Sequence, residues 1–340
     1  MITLNSEQAQ ECLMDAAKAK VMPMLVGSPG IGKSAIVRGI ADKCNLKLID
    51  IRLSQCDPCD LLGFPDIDRK AGKASYVPMD VFPLEGDKIP EGYAGWLLFF
   101  DEANSADKAV QKAWYKTVLD KMIGTRNIHS RVVMMSAGNL DTDNAIVEEM
   151  STALESRMVH YQLSISLDSW LKWAMDSEID HRITSFVQFK PDLLYSFKPN
   201  HPDKTYACPR TWEFANRFLQ QREVGDPLLR ANLAGTLSEG VAREFLGYCE
   251  IYTSLPTTQQ IIASAKTITV PNEPSILYAL TGSIASKITE GTSEALITFV
   301  ARMPKEFQIV CLREAIKRNE DCMDYQSVKE WISKNSQELW

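Results

Sequence analysis

A glycine-rich octapeptide places the strongest constraint on what this chain can fold into. It fits the pattern G-x-x-x-x-G-K-[ST], and its residues are Gly27, Ser28, Pro29, Gly30, Ile31, Gly32, Lys33 and Ser34. The apolar run at 21–26 predicts a buried parallel strand before the motif, and the spacing over 35–41 predicts a helix after it. In that context the loop's N–H groups point at phosphate oxygens, with help from the helix N-terminus. We therefore predict a nucleoside triphosphate site, with Lys33 on the β- and γ-phosphates and the Ser34 hydroxyl on Mg²⁺.

Two adjacent carboxylates form the second signal. The apolar residues 96–100 predict a buried central strand, and Asp101 and Glu102 follow it directly. At the carboxyl end of a parallel strand these side chains would lie beside the phosphate loop, where such sheets bind ligands. We expect Asp101 to hold Mg²⁺, directly or through water, and Glu102 to polarise the attacking water as the general base.

A polar residue follows the next predicted strand. The run 131–137 is strand-like, and Gly138-Asn139 ends it. If this strand neighbours that of Asp101, the Asn139 side chain lies at the same edge of the sheet. It is then placed to hold the nucleophilic water or the γ-phosphate.

Composition narrows the class of protein. The chain has 340 residues, is 45% hydrophobic and carries a net charge of −7. These values favour a globular protein of two or three domains and do not favour non-specific binding to nucleic acid, although a local basic patch inside a ring pore stays open. No apolar run approaches the ~20 residues of a membrane span, and the N-terminus lacks the pattern of a secretory signal. The eight scattered cysteines, with one C-x-x-C at Cys56 and Cys59, favour reduced thiols in the cytoplasm over a metal or redox site.

The chain divides by composition into three parts. Residues 1–167 alternate strand and helix patterns and predict an α/β domain, with an insert rich in glycine and proline at about 60–95. From 168 the strand-like runs largely stop, so we predict a helical domain over 168–250 and a helical C-terminal region over 251–340.

Some local expectations can be checked directly. We predict a helix over 6–20 capped by Ser6, and a helix over 105–122 whose buried face carries Val110, Ala113, Trp114, Val118 and Leu119. Within the insert, residues 73–77 could form one arm of a hairpin. A long irregular loop is the alternative for this stretch.

These features resemble the AAA+ ATPases, and most closely the MoxR-type, dynein-related members found in bacterial and phage genomes. The resemblance covers about residues 5–250. It is carried by the phosphate loop, Asp60-Leu61-Leu62-Gly63 before the insert, Leu98-Phe99-Phe100-Asp101-Glu102-Ala103-Asn104, Asn139, Ala153-Leu154-Glu155-Ser156-Arg157, and Pro209-Arg210 at a helix start.

The resemblance implies a fold and a set of roles. The fold would be the three-layer α/β sandwich of P-loop NTPases with a parallel central sheet, followed by an α-helical lid and a helical C-terminal region. Residues 27–34 would form Walker A, and Asp101 and Glu102 Walker B. The later roles would be sensor 1 for Asn139, the arginine finger for Arg157 and sensor 2 for Arg210. ATP and Mg²⁺ would be the cofactors.

One position departs from the family pattern. Ser156 stands where relatives carry an aspartate before the arginine. The identity of the finger therefore stays open between Arg157, Arg126 and Arg131. Whichever arginine acts, its planar fork suits the charge that develops on a transferring phosphoryl group, and it would act on the neighbouring subunit.

The leading functional hypothesis is an ATPase acting as a homo-oligomeric, hexameric ring that remodels a partner protein. By analogy with MoxR-type proteins, that partner could carry a von Willebrand factor A domain. A nucleic-acid motor or loader is one alternative, which ATPase stimulation by DNA but not by protein would favour. A nucleotide-gated scaffold is another, and the intact Glu102 and Asn139 argue against it. A small-molecule kinase or a G protein fits the later motifs poorly.

Overall fold

The structure is a computed structural model that describes residues 2–70, 72–143, 147–199 and 203–335. It divides into two compact units. The first comprises residues 1–166 and 198–200, and the second comprises 167–197 and 201–340.

The first unit is built on a six-stranded parallel sheet. The strands of this unit, in chain order, are β1 (Thr3–Leu4), β2 (Met22–Val26), β3 (Leu46–Arg52), β4 (Phe64–Asp68), β5 (Lys73–Val77), β6 (Gly95–Asp101), β7 (Met122–Ile123), β8 (Arg126–Asn127), β9 (Val132–Gly138) and β10 (Met158–Leu163). The large sheet has the order β1-β10-β2-β9-β6-β3, and every neighbouring pair in it is parallel. The strand of Asp101 and the strand that precedes Asn139 are therefore adjacent, as predicted.

Helices cover both faces of this sheet. The helices of the unit are α1 (Ser6–Lys18), α2 (Lys33–Lys43), α3 (Pro58–Leu62), α4 (Lys108–Asp120) and α5 (Thr152–Glu155), with short 3₁₀ helices at Leu53–Gln55, Ala103–Ser105 and Asp141–Asp143. Leu97 and Phe99 of β6 pack into the cluster formed with α1 and α2. Leu98 and Phe100 pack into the opposite cluster, formed with α3, α4 and α5. A strand buried on both faces explains the continuous apolar run, and the predicted three-layer α/β fold is confirmed.

Three local expectations are wrong in detail. The cap of α1 is Asn5, whose side chain accepts a hydrogen bond from Gln8 N–H, so that Ser6 is the first helical residue. The helix α4 starts later than predicted, because Ala103–Ser105 forms a 3₁₀ turn first. Leu119 is 45% exposed rather than buried, whereas the other four predicted residues, Val110, Ala113, Trp114 and Val118, are buried. The two-residue strand β1 was not predicted, since it is too short to show an alternating pattern and depends on pairing with the distant β10.

The insert contains regular structure. After α3, strands β4 and β5 form an antiparallel hairpin whose register runs from Phe64↔Val77 to Asp68↔Lys73. Gly63 has a φ of 91°, and a Cβ there would run into the Val77 backbone, so glycine permits the close approach at the base of the hairpin. The predicted hairpin arm at 73–77 is confirmed, and the irregular-loop alternative is wrong for these residues.

Within the described residues, the regular secondary structure of the second unit is helical, with irregular segments between the helices. Its helices are α6 (Leu167–Asp176), α7 (His181–Phe189), α8 (Pro209–Leu219), α9 (Pro227–Leu237), α10 (Glu239–Ser254), α11 (Thr258–Ala263), α12 (Pro274–Ala285), α13 (Glu290–Val300), α14 (Lys305–Arg318) and α15 (Gln326–Asn335). Helices α11 to α15 bury a shared apolar core that includes Leu280, Phe299 and Trp331. The division at residue 250 stays a prediction. Among the described residues, no helix is both long and apolar enough to cross a membrane.

Candidate nucleotide-binding site

The phosphate loop lies at the carboxyl edge of the sheet, between β2 and α2. Gly30 and Gly32 have φ values of 78° and 100°, which lie in the left-handed region that glycine adopts without strain. Helix α2 begins directly after them, at Lys33, so its unsatisfied N–H groups face the loop. The N–H of Gly27 donates to Gly138 O at 3.2 Å and fastens the start of the loop to β9. The loop therefore has the curl and the helix dipole that binding an anion requires.

Lys33 lies across the loop and is 8% exposed. Its ammonium donates to the carbonyl oxygens of Gly27 at 2.5 Å and Ser28 at 3.1 Å, and to Asn139 Oδ1 at 3.2 Å. Three donors on a buried ammonium are thus held by oxygens at the place where phosphate oxygens would bind. The contact also brings the predicted Walker A lysine and sensor asparagine together.

Ser34 and Asp101 meet as a magnesium site requires. The Ser34 hydroxyl donates to Asp101 Oδ2 at 2.8 Å. Two adjacent ligands of an octahedral Mg²⁺ with bonds of about 2.1 Å lie about 3 Å apart, so this oxygen pair fits the ion. No group of three or more His, Cys, Asp and Glu side chains suited to a metal occurs within the described ranges. A Mg²⁺ ion beside a nucleotide is usually held by one or two protein ligands, phosphates and water, and Ser34 and Asp101 would be those protein ligands.

Glu102 turns the chain away from β6. The backbone of Glu102 has a φ of 54°, in the left-handed region. This region is uncommon for residues other than glycine, and such residues often occur at functional sites. The Glu102 carboxylate accepts a hydrogen bond from the hydroxyl of Ser54, which lies in the 3₁₀ turn that follows β3. Sequence reasoning missed Ser54. The available signal was a hydroxyl directly after residues 46–53, whose alternating pattern is typical of a strand.

We expect Ser54→Ala to raise basal ATP turnover about 2- to 10-fold, because one Glu102 oxygen is then released from a hydrogen bond and can take a proton from water. Ser54→Thr keeps the hydroxyl and serves as the control with unchanged turnover. Steady-state phosphate release measures both. A fall in turnover with Ser54→Ala would show instead that the contact orients Glu102 for catalysis.

Asp50 is a third carboxylate near the pair. Arg52 of β3 is paired with Asp101, so Asp50, two residues earlier, lies on the same face of the sheet as Asp101. Burial raises the pKa of the Asp50 carboxyl and the negative charge of Asp101 adds to the rise, while Arg52 and Arg38 oppose it. Sequence reasoning did not single out Asp50, although its position in an alternating strand offered a signal.

The three candidate finger arginines have different surroundings. The Arg157 guanidinium donates to Ala153 O at 2.5 Å and lies over the Tyr115 ring at 5.2 Å from its centroid. Arg126, in β8, donates to Glu85 O at 3.2 Å. Arg131 is exposed just before β9.

Arg157 and the phosphate loop lie at opposite ends of the parallel strands: Arg157 directly precedes β10, and the loop directly follows β2. Strands β10 and β2 are parallel, with Met158 opposite Met22 and Gln162 opposite Val26. Arg157 precedes the first of these pairs and the loop follows the last, so about 13 Å of strand separates them. The backbone of Arg157 therefore lies at the end of the strands away from its own phosphate loop, and its guanidinium contacts Ala153 O and the Tyr115 ring.

Arg210 belongs to the second unit. It is exposed in the first turn of α8, which begins at Pro209. Its predicted sensor role stays a prediction.

Residues 23–163 match the model of the family described as "ATPase family associated with various cellular activities (AAA)". No curated protein matches the chain. Among solved structures, a candidate ATPase from Cytophaga hutchinsonii aligns at 14% identity over 98% of this chain and 89% of that one, with a TM-score of 0.36. The RuvB Holliday junction branch migration motor of Thermotoga maritima aligns at 15% identity over 81% and 86%, with a TM-score of 0.39. Structural likenesses at this level add nothing to the family match. Residues 23–163 are thus similar to the AAA family of ATPases, and they adopt the parallel α/β fold of P-loop NTPases.

Proposed function

We propose that this chain hydrolyses ATP, with Mg²⁺, at the subunit interfaces of a homo-oligomeric ring. The observation that carries the proposal is the meeting of two contacts at one edge of the sheet. Ser34 Oγ lies 2.8 Å from Asp101 Oδ2, and Lys33 Nζ lies 3.2 Å from Asn139 Oδ1. Four residues from three segments of the chain thus surround the mouth of a glycine-rich loop.

Each residue has a defined task in this proposal. The loop N–H groups and Lys33 bind the triphosphate, and Ser34 and Asp101 hold the metal ion. When bound, Mg²⁺ neutralises charge on the phosphoryl oxygens. Glu102 takes a proton from the attacking water, and the Asn139 amide holds that water or the γ-phosphate. Positioning and electrostatic stabilisation, rather than covalent chemistry, then account for the rate.

The place of Arg157 supports assembly. Its guanidinium lies on the Tyr115 ring, and its backbone lies at the end of the strands away from its own loop. A neighbouring subunit can bring such an arginine to the terminal phosphate, and an arginine supplied in this way can be worth ~10³–10⁵ in rate. We propose a hexameric ring with Arg157 as the finger and Arg210 as the residue by which the helical region responds to the γ-phosphate.

The output of the ring belongs to the same proposal. The sequence resemblance to MoxR-type proteins supports remodelling of a partner protein, and a von Willebrand factor A domain is the partner class expected by analogy. The eight cysteines are free thiols, which agrees with a reducing, cytoplasmic setting.

Turnover as a function of protein concentration tests the proposal. We expect the ATPase rate per subunit to rise as subunits assemble and to fall at least ~100-fold when EDTA removes Mg²⁺, because hydrolysis needs both a neighbour and the ion. Mass photometry on the same samples reports the ring. A protein that stays monomeric and cleaves ATP at a rate independent of dilution would contradict assembly. Stimulation by DNA and not by protein would contradict the proposed output.

A further inference from the structure

The backbone of Asn139 is held by a side chain where strand pairing has stopped. The ladder between β6 and β9 ends at the pair Phe100↔Ser136, although β9 continues to Gly138. Beyond that pair, the Asn104 side chain takes the place of a strand. Its Oδ1 accepts from Asn139 N–H at 2.9 Å, and its Nδ2 donates to Asn139 O at 2.8 Å. A carboxamide carries the same donor and acceptor as a peptide unit, so it can satisfy both groups at once.

The surroundings of Asn104 leave it little freedom. Asn104 is buried, with only 5% of the residue exposed. A Cβ on Gly138 would lie far inside van der Waals contact with Asn104 Oδ1 and with Met24 Cε. Glycine is therefore required at position 138 for the Asn104 side chain to reach the backbone of Asn139.

The Asn139 side chain gains its direction from this arrangement. Its Oδ1 accepts from Lys33 Nζ at 3.2 Å, and its Nδ2 donates to Ser105 Oγ at 3.4 Å. Ser105 is the neighbour of Asn104 in the 3₁₀ turn, so backbone and side chain of Asn139 are both tied to one turn.

The same turn carries Glu102. Its carbonyl oxygen accepts from Ser105 N–H at 2.9 Å, and its left-handed φ of 54° brings the chain back toward β9. We propose that Asn104 is a positioning residue that locks Asn139 to the turn of Glu102, so that the proposed base and the proposed γ-phosphate sensor keep a fixed separation. The inference rests on the proposed ATPase function and adds to it a residue that touches neither nucleotide nor water.

The test is a double-mutant cycle in kcat. We expect Asn104→Ala to lower kcat about 10- to 100-fold, because a shift of about 1 Å in a positioned group can cost that much. Affinity for a non-hydrolysable ATP analogue should stay within about 2-fold, since the phosphate loop is untouched. If Asn104 acts through Asn139, Asn104→Ala/Asn139→Ala should be no slower than Asn139→Ala alone.

Two further variants secure the result. Asn104→Asp keeps the side-chain volume and the acceptor for Asn139 N–H, but it places a second oxygen against Asn139 O. Its kcat should therefore fall as well. This variant tests the positioning role if Asn104→Ala does not fold. Asn127→Ala is the matched control, because the Asn127 amide contacts Glu85 on the surface and turnover should be unchanged.

The outcomes separate this inference from the function beneath it. The positioning role would be overturned if the fold-loss in kcat of the double variant equalled the product of the two single losses. An unchanged kcat in folded Asn104→Asp would overturn it as well. An unsubstituted protein that binds but does not hydrolyse ATP would overturn the proposed function instead.

Discussion

Glu102→Gln is expected to leave ATP bound and to slow its hydrolysis about 10³-fold, within the 10²–10⁴ that a positioned general base contributes. Glutamine has nearly the same size and can still accept the hydrogen bond from Ser54 that the structure shows. It has no basic oxygen with which to remove a proton from water. The substitution thus removes one chemical step and leaves the binding surface in place.

Equilibrium binding and single-turnover hydrolysis measure the two effects separately. Lys33→Ala is the matched control, because its loss removes the buried ammonium that lies across the loop and should weaken nucleotide binding itself. We therefore expect Glu102→Gln to bind ATP without hydrolysing it. Lys33→Ala should bind ATP weakly and hydrolyse it slowly. Turnover by Glu102→Gln at the unsubstituted rate would show that another group activates the water.

The parts of the site that could be predicted are those whose residues form short contiguous patterns in the sequence. The phosphate loop needs glycines at fixed spacing for its curl, and the pair Asp101-Glu102 follows an apolar strand that shows its burial directly. Asn139 could be predicted because parallel strands end at a common edge. For these residues, local sequence and tertiary position carry the same information.

Ser54 and Asn104 could not be assigned in that way. The contact of Ser54 with Glu102 joins residues 48 positions apart, and that of Asn104 with Asn139 joins residues 35 apart. Nothing in the residue types alone distinguishes these side chains from an ordinary turn serine or asparagine. The role of Asn104 follows from where the ladder of β6 and β9 ends, and that of Ser54 from the turn after β3, which is paired with the strand of Asp101. Only the three-dimensional structure reveals these neighbours.

The errors in the fold have similar causes. Asn5 and Ser6 are both good caps, and the choice of Asn5 depends on the reciprocal bond with Gln8. Leu119 follows Val118 near the end of α4, and it lies just outside the buried face that Val110, Ala113, Trp114 and Val118 form. Periodicity predicts that a helix exists more reliably than it predicts the last residue of the buried face.

Arg157→Ala is the second substitution with a large expected effect, a loss of about 10³-fold in ATP turnover if Arg157 stabilises charge on the neighbouring subunit's phosphate. Binding should change little, because in its own subunit the guanidinium contacts Ala153 O and the Tyr115 ring instead of the loop. A finger that acts between subunits also predicts complementation. Glu102→Gln keeps an intact finger beside a dead site, and Arg157→Ala keeps an intact site without a finger.

Mixing these two inactive proteins should restore about a quarter of the unsubstituted rate, because half of the subunits carry an intact site and half of their neighbours carry an intact finger. Arg217→Ala is the matched control, since Arg217 also lies over an aromatic ring, that of Phe214, at 5.5 Å from its centroid. Its turnover should be unchanged. Loss of activity in Arg126→Ala or Arg131→Ala, with Arg157→Ala active, would move the finger to that residue. Mixtures that stay inactive while subunits exchange would show that Arg157 acts within its own chain, because only a group supplied across an interface can be replaced by a neighbour.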